Sequence, residues 1–201
     1  MGDQQPRWTG RAARYAEALG FDPDTGEKTE ARLPVWDQEA SAPEQVELLC
    51  ALIRCQRPEI LVEAGTYRGH AAYHIGKVLQ SLDFGHLHTA DPVPNGQMAT
   101  LSGFKRVTFY PRDFLKVLEG IPAVDFAYID ASDHSKPGGA GLRWLHFEAV
   151  RAKLRPGGII CVDDTAADDW NDGEGGLSVH RIRDLCLNFT FLRGLSVFTC
   201  T

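Results

Sequence analysis

The chain has 201 residues, 43% of them hydrophobic and 24% charged, which suits one globular domain with enough length to bury a substantial core. Its 21 Lys and Arg against 27 Asp and Glu give a net charge of −6, so the basic footprint of a nucleic-acid binder is not expected. No apolar run approaches the roughly 18 to 20 residues of a membrane span, and the polar start MGDQQPRWTG lacks the apolar core of a signal peptide; no membrane partner and a cytoplasmic setting are expected.

Residues 1–40 read as an N-terminal extension. It carries one short helical pattern near 9–19 and then the turn-rich GFDPDTGEKTEARLP, and its Trp8, Tyr15 and Trp36 are candidates for a lid or for core packing. From Ser41 onward the pattern is that of a single folded domain over 41–201. Ser41 and Glu44 form a capping box ahead of a helix whose apolar face is Val46, Leu49, Ala51, Leu52, Ile53 and Cys55. EILVEAG (59–65) is an apolar run of strand length, and GHAAYHIGKVLQSL (69–82) places Ala71, Ile75, Val78, Leu79 and Leu82 on one helical face.

HLHTAD (86–91), RVTFYP (106–111), VDFAYID (124–130) and GGIICVDD (157–164) read as further strands. A helix over 141–154 is expected to stop at Arg155-Pro156-Gly157-Gly158, read as a chain stop and flexible turn. VHRIRDLCLN is a last helix, and FTFLRGLSVFTCT suggests two strands around Arg193-Gly194. Strands alternating with helices imply an α/β fold: a Rossmann-like, doubly wound sheet, mostly parallel with an antiparallel C-terminal edge and helices on both faces. Ligands in such sheets bind beyond the carboxyl ends of the strands. Five cysteines without CxxC spacing suit buried thiols better than disulfides or a zinc site.

The turn after the first strand decides the ligand class. Counted from Gly65, a dinucleotide fingerprint would put its second and third glycines at Tyr67 and His70, and a tyrosine there crowds a diphosphate. A P-loop is also absent, since KPGGAG lacks the following Lys-Ser/Thr. What remains is Glu63-x-Gly65-Thr66-Tyr67-x-Gly69, a tight turn entered by an acid, suited to a cationic or hydroxyl-bearing ligand without a phosphate. Asp91 stands where an acid can accept hydrogen bonds from ribose hydroxyls. Asp113, after the third strand, is placed to receive an adenine amino group, with Phe114 covering the ring. Three acids at successive strand ends without a phosphate cradle describe a site for S-adenosylmethionine.

The series SAPEQVELLCALI, ILVEAGTYRGHAA, HTADP, FYPRDFLKVL, FAYIDASDHS and LRPGGIICVDDT resembles a class I S-adenosylmethionine-dependent O-methyltransferase, of the catechol/caffeoyl-CoA type and its bacterial small-molecule and sugar relatives. The resemblance spans roughly Ser41 to Thr165. It implies methyl transfer to a small-molecule hydroxyl. Asp130 after the fourth strand, with Asp163 and Asp164 after the fifth, would hold Mg²⁺ beside that hydroxyl, the metal acting as a Lewis acid. His134, four residues past Asp130, would be the general base, with Lys136 a second candidate. Dimers are common in the resembled family, so a homodimer is the assembly it implies.

His70 and His74 share a helical face and read as packing, and His86 and His88 as one face of a strand. The acidic loop DDTAADDWNDGEGG is not an EF-hand, because Trp170 takes an oxygen-ligand position; Trp170 reads instead as a border of the acceptor pocket. Two competing readings remain. One is a nicotinamide-dependent oxidoreductase, opposed by Tyr67 and the missing glycines. The other is a non-catalytic S-adenosylmethionine-binding domain, which an acid cluster without metal would favour.

Overall fold

The computed structural model of the protein describes residues 43–93, 96, 100–131, 138–165, 177–189 and 194–200. In chain order its elements are α1 (Pro43–Gln56), β1 (Ile60–Ala64), α2 (His70–Leu82), β2 (His86–Ala90), β3 (Val107–Tyr110) and α3 (Phe114–Glu119). They continue with β4 (Val124–Ile129), α4 (Gly139–Arg151), β5 (Leu154–Asp163), α5 (Leu177–Leu185), β6 (Leu187–Phe189) and β7 (Leu195–Thr199). The expected extension over 1–40 and the capping serine Ser41 lie outside the described residues.

The seven strands form one sheet in the order β3-β2-β1-β4-β5-β7-β6. The first five are parallel, and β7 runs antiparallel to both β5 and β6. The expected doubly wound sheet with an antiparallel edge is therefore present. Ala64 pairs with Ala90 on one side and Ile129 on the other, so β1, β2 and β4 end level. The direction of winding reverses between β1 and β4, and their carboxyl ends open the crevice in which such folds bind ligands.

Alternate strand residues enter two separate cores, which is why the strands read as continuous apolar runs. Leu61, Leu87 and Phe126 join Leu49 and Ile53 of α1 and Ile75 and Leu79 of α2. Val62, Ala127, Ile129 and Ile160 join Phe114 and Val117 of α3, Phe147 and Val150 of α4, and Ile182 of α5. Among the described residues no helix is long and apolar enough to cross a membrane.

Three expectations are corrected. Arg155-Pro156-Gly157-Gly158 is not a turn between elements but an irregularity inside β5: Val124 pairs with Leu154 and Phe126 with Ile159, and the residues between are looped out of register. A bulge tolerates a proline because no ladder bond needs its missing N–H. The preceding helix consequently ends earlier, at Arg151. Of the cysteines, Cys50 and Cys161 are buried but Cys55 is exposed, on the outer side of the last turn of α1.

Gly65 sets the floor of the crevice. It has φ of 91°, and a Cβ built on it would lie 2.3 Å from the carbonyl oxygen of Asp130 and 2.8 Å from the Cα of Ala131. The β1 turn and the end of β4 touch backbone to backbone, which only glycine permits. Replacing Gly65 by Ala adds a left-handed strain and a backbone clash, so chemical denaturation should show a loss of about 2 kcal/mol or more. A Gly65→Ala protein of unchanged stability would contradict this close approach.

Candidate functional site

Beyond β1 the chain turns through Thr66 to Gly69, closed by a hydrogen bond from the Gly69 amide to the Thr66 carbonyl at 2.7 Å. Tyr67, in the turn, has φ of 46° and is exposed. Asp91, just past β2, holds this turn open: one carboxylate oxygen accepts from the Tyr67 amide at 2.7 Å and the other from the Val93 amide at 2.8 Å. A carboxylate oxygen has more than one acceptor site, so these bonds orient Asp91 without exhausting it. Tyr67 and Val93, both exposed, stand beside it as apolar surface.

Glu63 lies beneath this turn and not on the crevice wall, with 1% of its surface exposed. Its carboxyl accepts a hydrogen bond from the Thr89 hydroxyl, which shares a further short bond with the Thr66 hydroxyl at 2.5 Å. The chain Thr66–Thr89–Glu63 ties the turn to the floors of β1 and β2. Burial pushes the Glu63 pKa up to about 8, the Thr89 hydrogen bond opposing and the charge of Asp91 adding to the rise. The acid expected to face a cationic ligand is thus a largely neutral anchor.

Asp113 and Phe114 divide their roles. Asp113 is exposed and caps α3, one oxygen accepting from the Lys116 amide at 3.2 Å. Phe114 is 3% exposed and packs edge to face on His146 of α4, ring centroids 5.0 Å apart. Burial lowers the His146 pKa to about 4, leaving it neutral.

The three acids at the ends of β4 and β5 do converge, around a side chain that the sequence reading did not single out. Arg143 of α4 is buried, and one guanidinium nitrogen donates to Asp130 at 3.1 Å and to Asp164 at 3.0 Å. Its other terminal nitrogen donates to the backbone carbonyl of Asp163 at 2.7 Å. Asp163 is held separately: Oδ1 accepts from Gln45 at 2.5 Å and from the Asp164 amide at 2.7 Å, and Oδ2 accepts from the Tyr128 hydroxyl at 2.6 Å. Burial raises the Asp163 pKa to about 6, with the Asp164 charge adding and the Tyr128 hydrogen bond and Arg143 opposing. Burial and the Asp163 charge also raise that of Asp130, against Arg143, although 27% of the Asp130 side chain stays exposed.

This arrangement does not fit the expected magnesium site. Mg²⁺ needs near-octahedral oxygens at about 2.0–2.1 Å and keeps several waters. Here a guanidinium fills the space between Asp130 and Asp164, and three donors, Gln45, Tyr128 and the Asp164 amide, already orient the carboxylate of Asp163. Among the described residues no group of three or more His, Cys, Asp or Glu is arranged to hold a metal ion. His134, Lys136 and Trp170 lie outside the described residues. His70 and His74 meet edge to face with centroids 5.0 Å apart, and His86 and His88 share one sheet face, bonded to Thr108 and Tyr110.

Arg143 had a sequence signal. It shares the apolar stripe of α4 with His146, Phe147 and Val150, and a charge on a buried stripe needs a partner. Gln45 and Tyr128 had none, because their partners are distant in sequence.

Comparison with known proteins bears on the family and the fold. A family model described as a methyltransferase domain matches residues 62–165. A search of curated proteins finds no match. Among solved structures, an O-methyltransferase from Bacillus cereus in complex with SAH superposes with a TM-score of 0.64 at 19% identity, covering 82% of this chain and 84% of that one. The O-methyltransferase TomG from Streptomyces achromogenes, in complex with SAM, gives 0.62 at 18% identity over 100% of both chains. The SAH-bound methyltransferase PaMTH1 from Podospora anserina gives 0.63 at 15% identity over 79% and 78%. At these identities the likeness is one of fold.

The Glu63 anchor has a measurable consequence. Its folded pKa, about 8, lies above the ordinary 4.5, so the folded state keeps a proton that the unfolded state loses. That stability is full below pH 4.5, falls by about 1.4 kcal/mol per pH unit and is lost above about pH 8. Denaturation of wild type and Glu63→Gln from pH 5 to 8 should diverge with that slope, wild type losing stability relative to the variant. Parallel curves would place the Glu63 proton elsewhere.

Proposed function

The chain belongs to the methyltransferase-domain family, and within it we propose methyl transfer from S-adenosylmethionine to a hydroxyl of a small-molecule acceptor. The observation that carries this reading is Asp91 clasping the Tyr67 amide at the strand-order reversal, which leaves an oriented carboxylate beside a glycine turn with no phosphate cradle. The relatives of like fold from B. cereus and S. achromogenes are bound to SAH and SAM.

In this proposal the cofactor lies over Gly65, Thr66, Tyr67 and Gly69, with its ribose hydroxyls on Asp91. Asp113 takes the adenine amino group, while Glu63 and Phe114 support the site from beneath. The acceptor oxygen attacks the sulfonium methyl in line: a C–O bond forms, the C–S bond breaks, and S-adenosylhomocysteine leaves. The hydroxyl proton must depart before or during attack. His134, in the segment after β4, is the proposed base, and Lys136 the second candidate. Asp130, the partly exposed member of the acid cluster, borders the acceptor side. No step is assigned to magnesium, because Arg143 already occupies the space between its proposed ligands.

One observation favours a second reading, a domain that binds the cofactor without catalysis: two of the three acids of the cluster are already paired with Arg143. A screen of acceptor classes with methyl-labelled cofactor separates the two, since only an enzyme transfers label.

Calorimetry should show binding of S-adenosylmethionine and S-adenosylhomocysteine and none of NAD(H). A hydrogen bond to a charged group is worth roughly 1.5 to 3 kcal/mol, so Asp91→Ala should weaken cofactor binding about tenfold to a hundredfold. Nicotinamide binding without sulfonium binding would overturn the proposal. His134→Ala should lower kcat by about 10²- to 10⁴-fold at unchanged cofactor affinity and remove the acidic limb of the pH–rate profile. Near-normal kcat on a weakly acidic acceptor would move the role to Lys136.

A further inference from the structure

The acids at the ends of β4 and β5 are arranged around a cation that belongs to the chain. Arg143 is buried, and its guanidinium touches Asp130, Asp164 and the Asp163 carbonyl. Guanidinium stays protonated at any physiological pH, and its planar fork can bridge two carboxylates at once. A divalent ion would have to displace this fork and compete with Gln45 and Tyr128 for Asp163. Removing one partner of a buried ion pair leaves uncompensated charge, which is strongly unfavourable.

We propose that Arg143 is the resident cation of this cluster and stands where a divalent metal would stand, so that methyl transfer by this chain needs no metal. The inference rests on the methyl-transfer reading for its functional half and on the geometry alone for its binding half. Arg143 is then a positioning residue. It draws Asp130 and Asp164 together and joins α4 to the ends of β4 and β5, while 27% of the Asp130 side chain stays exposed. Unlike a bound metal, this cation cannot be removed by a chelator or exchanged.

Mn²⁺ alone, added to the full chain and followed by electron paramagnetic resonance, is the primary test. Wild type should bind Mn²⁺ no more tightly than millimolar, and excess EDTA should leave turnover unchanged. Arg143→Ala should uncover the carboxylates of Asp130 and Asp164 beside Asp163 and bind Mn²⁺ at least about tenfold more tightly, because hard oxygen ligands converge there. Its melting temperature should fall by roughly 10 °C and partly recover with Mn²⁺. Arg143→Lys keeps a cation and should gain no Mn²⁺ binding. Micromolar Mn²⁺ binding by wild type that is lost in Asp164→Asn, or reversible loss of turnover in EDTA, would overturn the proposal. So would a folded Arg143→Ala protein with no gain in Mn²⁺ binding. If that variant does not fold, the wild-type and Arg143→Lys titrations decide. Binding of S-adenosylhomocysteine is measured on the same samples: its absence defeats the methyl-transfer reading, while the Mn²⁺ result still judges the cation.

Discussion

The contact between the Arg143 guanidinium and the carboxylates of Asp130 and Asp164 is the constraint on which the crevice depends. It joins a helix on one face of the sheet to the carboxyl ends of two adjacent parallel strands, where like charges would otherwise repel. Burial works against the charge of Arg143, but Asp130, Asp164 and Asp163 more than compensate and hold its pKa above the ordinary value. Gln45 of α1 reaches the same cluster from the other face, donating to Asp163 and to the Gly194 carbonyl ahead of β7. Helices from both layers are thus fastened to one point at the end of the sheet.

The other side of the crevice is built differently. Around β1 and β2 the holding groups are neutral or peptide-like: the Thr66–Thr89–Glu63 hydroxyl chain and the amides on Asp91. Gly65 joins the two sides, because its missing side chain lets the β1 turn rest on the Asp130 carbonyl. The site has the buried Glu63 beneath the Asp91 carboxylate on the proposed cofactor side, and on the proposed acceptor side a wall in which one guanidinium pairs with two of three acids. At the opposite end of the sheet, Asp125 accepts from the amides of Glu59 and Ile60 and pairs with Arg155, fixing the starts of β1 and β4. Lys153 closes α3 by donating to the carbonyls of Leu118 and Ile121. Both ends of the sheet are held by side chains that satisfy loose backbone groups.

The sequence by itself determined the architecture. Period-2 and period-3.6 apolar patterns are local, and burial on both faces leaves the continuous runs from which β1, β4 and β5 were legible. It also determined that the β1 turn has no phosphate cradle, since the spacing from Gly65 to Tyr67 is a property of the chain. The looped-out Arg155–Gly158 was not legible, because a proline and two glycines mark a turn and a bulge alike until the partner strand is known. Only the tertiary structure decided what the acids do. Asp130, Asp163 and Asp164 carry the same spacing whether a metal ion or a guanidinium lies among them, and Glu63 reads as a ligand-facing acid until Thr89 is seen beside it. The role of a carboxylate is set by which charge or donor is nearest in space, and the packing of α4 against β4 and β5 brought Arg143 there.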